Sequence, residues 1–488
     1  MNLVHPAVAK LIQNLSCGKT VECKTQIDQQ DAVTKIARVY ETARNALEYR
    51  AEYLVRRAAI ERILRRQIVF SRDPDKLAAS LIQEIRWAAY IDDINQEEIQ
   101  NILEEFLPET KVDQDWLLGL VSANIEYTLS KNYDYHQFTK FAFNVLRRRV
   151  EIDHPDIDLL LYMAVDKIFS QSDEAGISFH LYQLNPNHNL EEVYSAFKKV
   201  IDTKILNSLC VFVRKQMGPL MLIRDLYFAS PTEFEATLLD QDLFNKKAKQ
   251  ILQDQLKLVK SRMNTATIRS LIYVFLTKMI IGVLLESPLE LLIFGQTHYL
   301  TLIINMLVPV IVMWLIVANI HLPKTKNQEQ LLDRASEIIF NYDSLPNQWE
   351  KLFGFSKKVS PLFYFFYALL FILVFYVIYS TLKLIGFSII SIGMFVFFLS
   401  VVTFFAYRIR QIALIYTYQP RTDSATVGWD IFTLPMVAIG DVVSRGVSQL
   451  NFLTFVFDFI LEAPFKLILG FLENWGRFLS SKRDEIVG

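Results

Sequence analysis

The sequence predicts an all-α protein, a multi-pass α-helical membrane protein with a large N-terminal helical cytoplasmic domain. Three observations carry that prediction. The apolar fraction is 52%, with 36 Phe and 21 Tyr, which is heavy for a soluble chain. The long uncharged runs lie almost wholly in residues 268–479, while residues 1–265 are rich in charge. Strand-like alternation is absent, and apolar residues recur at helical spacing instead.

In the N-terminal part, Asp31 to about Phe70 contains good helix formers without Gly or Pro. Val33, Ile36, Tyr40, Ala43 and Leu47 keep a 3-4 spacing for two heptads. Arg50 and Arg57 then enter the seam, so a long paired helix fits better than an extended coiled coil. Further helices are expected at about 76–106, 114–130, 134–152, 155–170, 189–206 and 231–265. Two carry start signals: Asn189 with Glu192, and Ser230 followed by Pro231 and Glu233. The 231–265 helix is expected to run on into the first span.

Four spans follow, at 268–285, 299–320, 361–382 and 384–407. Pro361–Leu382 is 22 residues and Leu384–Tyr407 is 24, both without a charge, and about 20 suffice to cross. Their closeness forces a tight turn around Lys383–Gly386. Tyr299–Ile320 is uncharged but kinked by Pro309. Ile268–Leu285 is interrupted by Lys278, a cost of about 3 kcal/mol that its apolar neighbours can offset.

Orientation follows from the flanks. Lys257, Lys260, Arg262 and Arg269 precede the first span, and no Lys or Arg separates it from the second. Lys324, Lys326, Arg334, Lys351, Lys357 and Lys358 lie in the loop 321–360, with Arg408, Arg410 and Arg421 after the last span. The positive-inside rule then puts both termini and that loop in the cytoplasm, in an inner or plasma membrane. The organisation expected is a cytoplasmic domain 1–265, a membrane domain 266–425 and C-terminal amphipathic interfacial helices in 426–488.

The C-terminal stretch is greasy yet charged at nearly every turn. Asp458, Glu462, Lys466, Glu473 and Arg477 fall within an arc of roughly 140° on a helix. Glu462–Lys466 and Glu473–Arg477 are acid-before-base pairs at i,i+4. A helix lying in the interface, its polar stripe toward headgroups, accounts for that rhythm over 447–479; the alternatives are a helix packed against the four spans with its charged face at the cytoplasmic mouth, and a fifth span.

Local motifs give little chemistry. Arg50, Arg56, Arg57, Arg62, Arg65 and Arg66 crowd one stretch and could meet anionic lipid headgroups; the plainer alternative is a solvated helix face. "DHPD" (Asp153 to Asp156) resembles the His-Pro-Asp of J-domain co-chaperones in three residues, but the continuation lacks that family's basic, Asn-containing pattern. It therefore reads as a helix-helix turn. No phosphate loop, nucleophile elbow or zinc-protease motif is present. The seven His are scattered, and Cys17, Cys23 and Cys210 suggest isolated thiols. No enzyme activity, cofactor, metal or nucleic acid is expected.

The intramembrane charge at Lys278 is the strongest local pointer to a site, although it could simply snorkel or meet a helix carbonyl. The leading expectation is a membrane-anchored scaffold at the cytoplasmic face, with the bilayer and a protein partner or self-association through the cytoplasmic helices. The alternative is a small channel or transporter gated by the N-terminal helical domain, which needs polar residues converging inside the bundle.

Overall fold

The computed structural model describes residues 6–16, 52–87, 95–107, 111–130, 133–148, 150, 154–185, 189–201, 203–294, 299–320, 322–340, 361–418, 433–443 and 475. Every regular element among them is helical. Packing divides the chain into two units. One holds residues 7–147, 152–213 and 451–488; the other holds 1–6, 148–151 and 214–450.

The first unit is built from α1 (Pro6–Ser16), α2 (Glu52–Phe70), α3 (Pro74–Trp87), α4 (Gln96–Phe106), α5 (Gln114–Ser130), α6 (Tyr133–Arg147), α7 (Ile157–Ile168), α8 (Glu174–Leu184) and α9 (Leu190–Val200). The helix expected over 76–106 is two helices. Asn95 restarts the chain as an N-cap, its side chain accepting from Glu97 N at 3.1 Å, because a short polar side chain satisfies an orphan donor better than another helical turn would. Asn189 caps α9 as its sequence predicts, accepting from Glu191 N at 3.0 Å. The turn at Pro155–Asp156 leads into α7, with Asp156 at its N-cap position. α5 is the central helix, buried from Leu117 through Leu129 on most sides and packed against both α2 and α8.

The second unit takes the end of α10 (Lys204–Ala229), then α11 (Phe234–Leu239), α12 (Gln241–Ile281), α13 (Ser287–Phe294), α14 (Tyr299–Ala318), α15 (Thr325–Phe340), α16 (Pro361–Leu384), α17 (Ile389–Ala413) and α18 (Thr433–Val443). The single helix expected from 231 is broken. Pro231–Glu233 forms one 3-10 turn, and Ser230 makes no capping hydrogen bond. The effective start is Asp240, whose carboxylate accepts from Asp242 N at 2.9 Å and Leu243 N at 3.1 Å. α15 occupies part of what the sequence suggested was a loop. The unit boundary at 213/214 precedes the composition boundary at 265, because the charged first half of α12 packs on α15 and α11 within this unit.

Among the described residues, three helices are long and apolar enough to cross a membrane: Thr301–Ala318, Phe365–Leu384 and Ile389–Ala413, with mean hydropathies of 2.5, 2.2 and 2.5. The stretch 268–285 is helical through Ile281 and continues as a π-helical segment, Gly282–Glu286. Between α16 and α17 the chain turns at Gly386, whose φ of +94° suits a residue without Cβ. Ser388 then caps α17, accepting from Ser391 N at 3.2 Å.

Two apolar cores hold these helices. One joins Met263, Ala266 and Val274 of α12 to Met313 and Val317 of α14 and to Val402, Ala406 and Ile409 of α17. The other joins Val374 and Leu382 of α16 to Ile392, Phe395 and Leu399 of α17 and Met436 of α18, with Ile304, Val308 and Val312 of α14 against it. α14 thus serves both. α18 lies within the C-terminal part 426–488 and packs on the middle of α17, while the stretch 447–479 lies outside the described residues apart from Trp475. A Cβ on Gly440 would overlap the Ser400 carbonyl oxygen and stand 2.6 Å from Phe404 Cβ. Only the missing side chain permits that crossing.

Candidate functional site

Lys278, on α12, lies on the side that meets α14 and α17. Its side chain is 1% exposed, as is that of Glu286 eight positions later, and Nζ stands 4.0 Å from Glu286 Oε2. Asn305 of α14 donates from Nδ2 to Glu286 Oε1 and is itself fully buried. The Lys278 ammonium also sits 4.2 Å from the ring centroid of Phe398 on α17, a cation–π contact. Three helical segments thus converge on one lysine, one glutamate and one amide.

Proline chemistry explains how the chain makes room there. Pro288 cannot donate a backbone N–H, and its ring crowds the carbonyl four residues back. The helix widens to the π form at Gly282–Glu286 just before it, an irregularity that recurs at functional sites. Pro309, inside α14, has the same effect on that helix: the residue four back is Asn305, so its carbonyl lacks the usual helical donor. Asn305 Oδ1 and Lys278 Nζ also find no hydrogen-bond partner among the described residues. A cationic donor and two acceptors therefore stay open around one carboxylate, in surroundings where unsatisfied polar groups are costly.

The arginine cluster is placed differently from the lipid-contact expectation. Arg57 and Arg66 are buried at 7% and 3% exposure. Arg66 pairs with Glu84 of α3, and Gln67 Nε2 donates to the same carboxylate at 3.0 Å. Arg57 pairs with Glu61 and, at 2.6 Å, with Asp173, the residue that caps α8. Arg56 reaches Glu126 of α5 at 2.9 Å, and burial raises the pKa of that carboxyl even against the pull of Arg56. Arg65 bridges Glu61 at 2.9 Å and Asp115 at 3.0 Å. These side chains tie α2 to α3, α5 and α8 rather than forming a solvated face. Arg62 is half-buried on the same helix. Arg50 and the stripe Asp458, Glu462, Lys466, Glu473 and Arg477 lie outside the described residues.

A third cluster was invisible in the sequence. His136 and His180, 44 positions apart, stack with ring centroids at 4.9 Å. His180 Nδ1 lies 2.7 Å from Oδ2 of the fully buried Asp166, and Ser172 Oγ donates to Asp166 Oδ1 at 2.8 Å. Burial works to raise the Asp166 pKa, but His180 and the two hydrogen bonds outweigh it and hold the carboxyl below its ordinary value. His136 is held neutral, its pKa pushed down to about 3 by burial first and then by the neighbouring His180 and Lys140. The serine faces the aspartate and not the imidazole, so the group lacks a serine–histidine relay. Among the described residues no three His, Cys, Asp or Glu side chains converge as a metal site would require.

Compared with known proteins, the chain matches no protein-family model, no curated protein and no solved structure. Function must be argued from its own geometry.

Proposed function

We propose that the chain is a multi-pass membrane transport protein whose site for a proton or small monovalent cation is Lys278–Glu286–Asn305, acted on by the N-terminal helical unit. The observation that carries this reading is a fully buried lysine and glutamate among helices apolar enough to span. Ionisable groups in such surroundings are expensive, and they mark ion and proton paths. The chemistry fits: one carboxylate, one amide oxygen and one uncommitted carbonyl are hard acceptors, and the Lys278 ammonium occupies the place a small cation would take.

Membrane residence is supported by the surface of α16, where Leu362, Phe365, Leu369, Ile372 and Tyr376 are each more than half exposed. So large an apolar face is out of place in water. The charge bias at the flanks supports four crossings, with α12 supplying the first, and cytoplasmic termini. A scaffold role needs partner surfaces but has no use for this buried pair.

The test is flux. The chain is reconstituted in vesicles loaded with dyes selective for H⁺, Na⁺ or K⁺, with the matching gradient imposed in each case. Wild-type protein is expected to dissipate one of them faster than empty vesicles, and Lys278→Met and Glu286→Gln are each expected to abolish that flux. Equal flux in all three proteins, or none in wild type, removes the transport reading and leaves the scaffold.

A further inference from the structure

A cavity of about 610 Å³ opens in the first unit between α1, α6, α7, α8 and α9. Its size is that of small-molecule sites. The lining is mainly apolar, with Leu11, Phe141, Leu159, Leu181 and Val193 contributing from all five helices. Two lysines also line it: Lys10, exposed on α1, and Lys140, half-buried on α6.

Neither lysine has an acidic partner among the described residues, and the two repel each other. Burial lowers the Lys140 pKa first, and the charge of Lys10 lowers it further. Of the acids of the lining, Asp158 pairs with Arg147, while Glu192 accepts from the neutral amide of Asn189 at 3.3 Å and keeps its charge without meeting either lysine. Tyr162 also lines the cavity, with its hydroxyl turned into the protein and without a hydrogen-bond partner among the described residues. The apolar cavity therefore carries two neighbouring lysines that have no acidic partner among the described residues.

We infer that this cavity binds a single-chain amphipathic anion, its acyl chain against Leu11, Phe141, Leu159, Leu181 and Val193 and its anionic head at Lys10 and Lys140. A compact anion alone would leave the apolar lining unfilled, and a neutral chain would leave the lysines unpaired. An anionic head relieves their repulsion with charge-assisted hydrogen bonds, roughly twice as strong as neutral ones. The inference is independent of the transport reading, since the cavity lies wholly within the first unit.

Equilibrium dialysis of radiolabelled dodecanoate against the full chain in phosphatidylcholine nanodiscs, with empty discs as the blank, tests it. Saturable binding above the blank is expected. Lys140→Glu should weaken it about tenfold or more, since a charged hydrogen bond is lost and a repulsion gained. Lys140→Arg should retain binding, and Ala196→Trp should block it by filling the cavity while keeping both lysines. Lys204→Glu, exposed on α10, should change nothing. Dodecyl phosphate should compete. If it is the tighter ligand the natural source is a lipid phosphate, and if dodecanoate is tighter the source is a free fatty acid. Dodecanol competing as well as dodecanoate would overturn the anionic head, and acetate or inorganic phosphate competing as well would overturn the acyl chain. Binding equal to empty discs, or unchanged in both Lys140→Glu and Ala196→Trp, sinks the proposal.

Discussion

Replacing Arg66 by Met separates a structural arginine from a lipid-binding one. The side chains of Arg66 and Glu84 are 4% and 5% exposed, so the substitution strands a carboxylate away from water. Removing one partner of a buried pair costs about 3–5 kcal/mol. Gln67 still donates to Glu84 at 3.0 Å, which places the expected loss at the lower end, about 3 kcal/mol. For a unit of this size each kcal/mol moves the midpoint about 2–4 °C, so the first unit should open about 6–12 °C earlier. The double variant Arg66→Met with Glu84→Leu should recover most of that loss, because an apolar pair of similar volume often replaces a buried ion pair at no cost. Pulse proteolysis of the full chain across a temperature series, followed at the N-terminal unit, reads both changes. An arginine serving headgroups predicts the opposite pattern: a midpoint within about 2 °C of wild type, and about 1 kcal/mol less affinity for anionic vesicles. That outcome would show the packing argument for this helix to be wrong.

Two glycines of the second unit give opposite expectations. Gly393→Ala meets nothing within 4 Å and should stabilise the helix by about 0.5–1 kcal/mol, whereas Gly440→Ala must push α18 off Ser400 and should lower the thermal midpoint of the purified protein. The buried His136 makes stability depend on pH. Its folded pKa of about 3 lies below the ordinary 6.5, so its contribution is full above pH 6.5 and is lost as pH falls toward 3, at up to about 1.4 kcal/mol per pH unit. His136→Leu should flatten that slope in urea unfolding series at pH 7, 6 and 5; a slope as steep as wild type would place the titration elsewhere.

The helical class and three of the four apolar runs were legible because a long uncharged segment has few alternatives to a helix. Boundaries were less so. Ser230-Pro231 carries every mark of a helix start, yet Asp240 starts the long helix; both stretches satisfy the same local rule, and tertiary packing chose between them. The arginine run in α2 reads as a solvent- or lipid-facing patch because partners such as Glu84, Glu126 and Asp173 are distant in sequence. Lys278 stood out as a charge among apolar neighbours, but Asn305 did not. An asparagine in an apolar run carries no signal until the fold sets it against Glu286. Pro288 and Pro309 were visible, and only the structure shows that both disturb backbone beside the same carboxylate.

The buried site is also connected through α17 to α10 and α15 of its own unit. Phe398 touches Lys278, and α17 continues without interruption from there to Ala413. Just beyond, Tyr416 donates its hydroxyl to Asp225 of α10, a carboxylate already held by Arg224 at 3.0 Å. Burial, then the negative Asp225, raises the Tyr416 pKa, so the phenol keeps its proton and the hydrogen bond persists across physiological pH. Asn327 of α15 donates to the Tyr418 carbonyl at 2.6 Å and accepts from its N–H at 3.2 Å. Gly218 of α10 lets the Thr417 carbonyl come so close that a Cβ there would lie 3.2 Å from it. The chain leaving α17 is thus gripped by α10 and α15. A packed helix shifts between discrete arrangements rather than deforming smoothly. Displacement of α17 relative to α10 and α15 is therefore opposed at Tyr416–Tyr418.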